Sequence, residues 1–181
     1  MFRKMLVSLL LSLAFVGYSG MIKAETTRTA LVTGANRGIG LELVRQLSAR
    51  GYQVIGTARN PEEALELKET GALLVPLDVT DSSSVRAMAQ QLEGKKIDLL
   101  INNAGIMGHS AKSFQETDFD KVMTTYDVNS LGPMRVTQAL LPNLLAGNGK
   151  TVVQISSTMG SIANNSGGYY GYRSSKSALN M

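Results

Sequence analysis

The sequence predicts an α/β fold: a doubly wound parallel sheet with helices on both faces. Short apolar runs alternate with longer helical patterns, the order expected of consecutive βαβ units. The runs are mainly apolar, as in Ala30-Leu31-Val32, which suits strands covered on both sides. Polar groups then follow the runs, with Asp78-Val79, Asn102-Asn103-Ala104-Gly105 and Ser156-Ser157 after the third, fourth and fifth. Ligand-binding residues of such a sheet sit at the carboxyl ends of its strands.

The elements read in order as follows. The first strand is expected over 29–33 and the first helix over 37–50, closed by Gly51. The second strand covers 53–58 and is bounded by Arg59-Asn60-Pro61. A short helix over 61–69 has proline in its first turn and stops at Gly71. The third strand covers 73–76. Asp81 or Ser82 caps a helix that runs to 93 and is closed by Gly94. The fourth strand covers 97–101. Residues 118–145 form a long helical stretch, with Pro133 and Pro142 as its irregular points. The fifth strand covers 151–155. The Ser-, Asn- and Gly-rich stretch 160–171 reads as a loop over a site, and another helix starts at Tyr169. Crossovers should be right-handed.

The 181 residues suffice for one domain with a real core, and 44% hydrophobic with 18% charged residues is ordinary for a globular protein. The formal charge of +4 misleads. Arg3, Lys4 and Lys23 lie in the first 24 residues without an acid; the remainder has 15 basic against 14 acidic residues. No basic stripe is left to suggest nucleic acid. There is no cysteine, hence no disulfide and no thiolate metal site. The single histidine, His109, has no partners for a metal.

Residues 1–24 stand apart from residues 25–181, the globular domain. A basic start, an uncharged stretch over 5–22 and small residues before Ala24 have the layout of a secretory leader. The same stretch is long enough for a marginal membrane anchor, its flanking Arg3 and Lys4 on the cytoplasmic side. A start at Met21 is the third reading; it leaves a cytoplasmic domain.

Residues 33–40, Thr33-Gly34-Ala35-Asn36-Arg37-Gly38-Ile39-Gly40, join the first strand to the first helix. Gly34 can take a tight turn. Gly38 lets the backbone approach a pyrophosphate, and Gly40 lets the helix pack close to the strand. The helix N-terminus adds free N–H groups and the positive end of its dipole. This is the phosphate cradle of a Rossmann-type sheet. The second strand ends at Arg59, where an acid would hold a ribose 2′-hydroxyl. A basic residue there suits a 2′-phosphate instead, and Arg37 can reach the same group, so the charge argument favours NADP(H) over NAD(H).

Tyr172 and Lys176 are one helical turn apart and share a face. An ammonium beside a phenol favours the phenolate. Such a tyrosine can protonate a carbonyl oxygen during hydride addition, or take the proton of an alcohol in reverse. Ser157 can hydrogen-bond the same oxygen.

The ordered set Thr33-Gly34, Gly38-Ile39-Gly40, Asp78, Asn102-Asn103-Ala104-Gly105, Asn129, Ser157 and Tyr172 with Lys176 resembles the short-chain dehydrogenase/reductase superfamily, from about residue 28 onward. The stretch from Gly167 to Asn180 is similar to its carbonyl-reductase branch, with the C-factor and sniffer type proteins. The resemblance implies that Tyr172 is the general acid/base. Lys176 favours its ionised form and holds the nicotinamide ribose, Ser157 positions a small carbonyl or alcohol, and Asn129 supports a water in a proton relay. It further implies that Asp78, with Val79, meets the adenine, that Asn103, Ala104 and Gly105 line the adenine ribose and sheet centre, and that Asn36 belongs to the cradle. Ser156 competes with Ser157, which stands three before Gly160 as in the family. The family continues for about two more strands and a substrate-covering segment, so these C-terminal strands are expected to be missing and the fifth strand to be a bare edge. A full-length chain would pair with a second copy through 118–145 and the helix near 169. Two other functions stand beside an oxidoreductase. One is a non-catalytic cofactor sensor or exported signal of C-factor type. The other is a sugar-nucleotide epimerase of the extended branch, which Gly34 and Gly38 disfavour by having three residues between them rather than two.

Overall fold

The computed structural model describes residues 27–108 and 113–181, so the 1–24 leader and His109 lie outside the described residues. No helix among the described residues is long and apolar enough to cross a membrane. Five strands run parallel: β1 (Thr29–Val32), β2 (Gln53–Ala58), β3 (Leu73–Pro76), β4 (Leu99–Asn102) and β5 (Thr151–Gln154). Their spatial order is β3-β2-β1-β4-β5. The chain winds outward from β1 to β3, then returns to lay β4 on the other side of β1. That reversal opens a crevice above the carboxyl ends of β1 and β4.

The sheet is covered by α1 (Gly38–Ala49), α2 (Leu65–Lys68), α3 (Ser82–Gln91), α4 (Phe119–Tyr126), α5 (Gly132–Ala139), α6 (Leu141–Ala146) and α7 (Tyr170–Asn180). Side chains alternate across a strand, so neighbours in β1 feed opposite cores. Leu31 joins Ile55, Val75 and Leu100 under Met88 of α3 and Val136 of α5. Val32 joins Val54 and Ile101 under Leu41, Val44 and Leu47 of α1. Each such aliphatic side chain contributes about 1.5–3 kcal/mol when fully buried. Coverage on both faces holds for β1, most of β2 and β4. It fails at β5, the outer strand beside β4, where Thr151, Val152 and Gln154 are exposed.

Two expectations about the helices need correction, and the irregularities expected at Pro133 and Pro142 are present. The short helix expected over 61–69 is a 3₁₀ turn at Pro61–Glu63 followed by the single turn of α2. The stretch 118–145 is interrupted twice, each time just ahead of a proline. A π-turn occupies Asp127–Leu131, because Pro133 has no N–H for the carbonyl four residues back and its ring crowds that carbonyl. The second break falls at Leu140, ahead of Pro142 in the first turn of α6. Finally, Gly171 is already inside α7, and Tyr169 precedes it with φ 50°, left-handed backbone that is rare for an aromatic residue. The expected strand 97–101 shifts to Leu99–Asn102, since Ile97 and Asp98 lead into β4 rather than pair within it. The buried Asp98 carboxylate there accepts N–H groups from Thr29 at 2.8 Å, Asn148 at 2.7 Å and Gly149 at 3.0 Å. Burial pushes its carboxyl up, but these donors together with Arg28 outweigh that and hold it below the usual carboxylate range.

Candidate functional site

A cavity of about 580 Å³ lies at the carboxyl ends of the strands, large enough for an extended small molecule. The glycine turn forms one end. A Cβ on Gly40 would overlap the Gly34 carbonyl oxygen and come within 2.5 Å of Asn103 Nδ2. Gly40 therefore brings the helix against its own turn and the loop after β4, rather than against the strand. Asn103 Nδ2 donates to the carbonyls of Thr33 at 2.9 Å and Gly34 at 3.1 Å, which ties the turn to that loop. A Cβ on Gly34 would lie 2.9 Å from Ala104 Cα. Gly38 differs: its φ is +58°, and a Cβ there would meet nothing within 4 Å. Its backbone faces open space. Arg37 precedes α1 in extended conformation, and no side chain caps the helix. The N–H groups of the first turn are thus available to an anion.

Gly34, Asn36, Arg37, Gly38, Ile39 and Gly40 all line the cavity. Thr33 does not; it is buried behind the wall, where its Oγ1 accepts the N–H groups of Asn103 and Ala104, each at 3.0 Å. Arg59 reaches the cavity from the end of β2, on the same side as Asp78 and Val79. The Thr80 hydroxyl donates to Asp78 Oδ1 at 2.6 Å and its N–H at 2.9 Å. These bonds, with a smaller contribution from the Arg59 guanidinium, hold the Asp78 carboxyl below its ordinary range.

Tyr172 and Lys176 line the other end with Asn103, Ala104 and Gly105 between. Lys176 Nζ lies 5.9 Å from the centroid of the Tyr172 ring and donates to the Ile155 carbonyl at 2.7 Å. Burial lowers the affinity of this amine for its proton, moving its pKa below the usual lysine value. A Cβ on Gly160 would lie 2.9 Å from Lys176 Cβ, so the turn Thr158–Gly160 seats directly on α7.

Besides Thr33, two expected residues are absent from the cavity wall. Ser157 Oγ accepts the Met159 N–H at 3.1 Å as the cap of that turn; Ser156 lines the cavity instead, its hydroxyl donating to Asn180 Oδ1 at 2.6 Å. Asn129 is buried beneath the floor. Its Oδ1 accepts the Ile106 N–H at 2.8 Å, and its Nδ2 donates to the Ile106 carbonyl and to Ser175 Oγ. Several wall residues escaped the sequence reading. Thr80 had a signal, since Asp-x-Thr after a strand is a turn pattern in which the side chains bond locally. Ala58, Leu77 and Ile155 adjoin predicted positions. Thr124 and Val128 face the cavity only because of how α4 and the π-turn pack, which no local pattern states.

A family model for short chain dehydrogenases matches residues 28–181. The chain belongs to the short-chain dehydrogenase family. A (+)-neomenthol dehydrogenase of Arabidopsis thaliana is 34% identical over 168 residues, 77% of this chain and 57% of that protein. The Myxococcus xanthus protein C-signal is 44% identical over 98 residues, 54% of this chain and 58% of that one. The crystal structure of NADPH bound carbonyl reductase from chicken fatty liver superposes with a TM-score of 0.78 at 36% identity, covering 86% of this chain and 68% of that one. The chain spans 57% to 66% of the length of the first curated relatives it matches.

Proposed function

We propose that this short-chain dehydrogenase binds NADP(H) in preference to NAD(H) and interconverts a small carbonyl and its alcohol. One observation carries the reading: a single cavity has an uncapped helix N-terminus with Arg37 and Arg59 at one end and Tyr172 with Lys176 at the other. The residues fit the cofactor. The open space beside Gly38 and the free N–H groups of α1 suit a pyrophosphate, and the two guanidiniums suit a 2′-phosphate. When bound, NADPH would supply the hydride. The Tyr172 hydroxyl donates its proton to the carbonyl oxygen as negative charge develops there, and takes it back in the reverse direction. The Lys176 ammonium near the ring stabilises the phenolate left behind. Ser157, whose Oγ only accepts the Met159 N–H and keeps its own O–H proton to donate, holds the substrate oxygen, and Ser156, on the cavity wall, competes for that role. Asp78 and Val79 flank the adenine; Asn129 acts through the loop it fixes. NADPH in the chicken carbonyl reductase supports the cofactor choice. The exposed Phe119 and Met123 of α4 support pairing of a full-length chain with a second copy.

The identity to C-signal favours a second reading, a non-catalytic cofactor-binding or C-factor-like signalling protein. Calorimetric titration with NADPH and NADH, followed by NADPH oxidation on a panel of small aldehydes and ketones, separates the two. Tighter NADPH binding with turnover lost in Tyr172→Phe supports the oxidoreductase. Binding without turnover on any carbonyl supports the second reading, and NADH binding as tight as NADPH overturns the cofactor assignment.

A further inference from the structure

The π-turn Asp127–Leu131 brings two consecutive residues, Asn129 and Ser130, onto the face that meets α7. In a regular α-helix consecutive side chains diverge by about 100°, and the wider π-turn narrows that divergence. Both converge on Ser175, which lies between Tyr172 and Lys176 and is fully buried. The Ser130 hydroxyl donates to the Ser175 carbonyl at 2.8 Å. Asn129 Nδ2 donates to Ser175 Oγ at 3.0 Å, and that hydroxyl donates to the Tyr172 carbonyl at 2.8 Å. The Ser175 hydroxyl is therefore both acceptor and donor. Through it the side chain that clamps Ile106 at the cavity wall connects to the backbone of Tyr172. A serine hydroxyl bonded to the carbonyl three residues back also sets the local bend of a helix. Here that bond spans the turn that separates the two residues whose side chains must meet, while Lys176 Nζ is separately anchored to Ile155.

We propose that Ser175 is a positioning residue: its hydroxyl couples the loop after β4 to the turn of α7 and sets the placement of the Tyr172 phenol relative to Lys176. The inference rests on the oxidoreductase reading for its kinetic consequence and on geometry alone for its structural one.

The test compares Ser175→Ala with Ser130→Ala in the full chain. Ser130→Ala removes the neighbouring bond to α7 and leaves the Ser175 hydroxyl intact, so it reports merely structural weakening. Ser175→Ala should lower kcat by about 10- to 100-fold, the scale on which small misplacements act, with KM and the NADPH dissociation constant nearly unchanged. Ser175→Cys, which retains a weak donor and acceptor, should recover part of the loss. Ser130→Ala should leave kcat unchanged. The second readout needs no turnover: in protein with ¹³Cζ-labelled tyrosine, the Tyr172 resonance, assigned by its loss in Tyr172→Phe, should move in Ser175→Ala and stay in Ser130→Ala. A Tyr172 resonance unmoved in Ser175→Ala overturns the proposal whether or not the wild type is active. Equal loss of kcat in the two alanine variants overturns it as well. An inactive wild type whose Tyr172 resonance responds to Ser175→Ala overturns the oxidoreductase reading and supports the coupling.

Discussion

Gly40→Ala should damage both folding and nucleotide binding, whereas Gly38→Ala should damage chiefly binding. At position 40 the added methyl collides with the Gly34 carbonyl oxygen and lies 2.5 Å from Asn103 Nδ2. One obstacle is backbone; the other is an amide already committed to the Thr33 and Gly34 carbonyls. Overpacking costs about 1–3 kcal/mol. Displacing Asn103 forfeits two hydrogen bonds of about 0.5–1.5 kcal/mol each. The higher helix propensity of alanine returns up to about 1 kcal/mol, so mid-range values leave a net loss of about 3 kcal/mol. Against a total of about 5–15 kcal/mol that is large. In urea the midpoint should fall by about 1–2 M with the slope unchanged. At position 38 the methyl meets no atom, so the penalty is the left-handed backbone alone, about 1–2 kcal/mol. That methyl instead occupies the space offered to a phosphate, and NADPH affinity measured by calorimetry should fall at least ~10-fold. Gly51→Ala is the control, with φ +80°, nothing within 4 Å and no place in the cavity. It should cost stability as Gly38→Ala does and leave NADPH binding intact. A Gly40→Ala midpoint equal to wild type, or a Gly51→Ala variant as defective in NADPH binding as Gly38→Ala, would refute the assignment of these separate roles.

Arg59→Asp should shift the ratio of NADPH to NADH affinity toward NADH by at least ~10-fold, through loss of a charge-assisted contact and gain of repulsion; an unchanged ratio by calorimetry removes the 2′-phosphate contact. Ser156→Ala and Ser157→Ala, assayed side by side, identify the serine that holds the substrate oxygen. The expected outcome is a kcat loss of about 10²-fold for Ser157→Ala and a small one for Ser156→Ala, and the reverse pattern transfers the role. Asp98→Ala leaves three partly buried N–H groups without their charged acceptor and should destabilise by about 2–5 kcal/mol at pH 7 in urea titrations. The sign of its pH dependence follows from a carboxyl held low in the native state. The contribution is fully present above the unfolded value near about 3.9 and is lost as pH falls through the lower native value. The wild-type advantage over Asp98→Ala should therefore shrink only in strong acid. A gap that closes already between neutral pH and about 5 contradicts a native-state carboxyl below about 3.9.

The sequence by itself determined the α/β class, the five strands, the glycine turn and the pairing of Tyr172 with Lys176. These are local properties: apolar runs fill sheet interiors, glycine supplies the φ at Gly38 and the clearance at Gly40, and a spacing of four defines a helix face. Arg59 and Asp78 were legible for the same reason, since Arg59 directly follows β2 and Asp78 stands two residues after the end of β3. Only the tertiary structure decided what depends on packing between elements. It turned the irregularity around Pro133 into a π-turn ahead of the proline, because a missing N–H can be absorbed by widening the preceding turn. It put Ser156 rather than Ser157 on the cavity wall, because the turn Thr158–Gly160 uses the second hydroxyl as its cap. It withdrew Thr33 and Asn129 behind the wall, where their side chains hold backbone groups of the loop after β4. It also joined Ser175 to Asn129 across 46 residues of chain, a contact that exists only once α7 has docked on the π-turn and that no local spacing encodes.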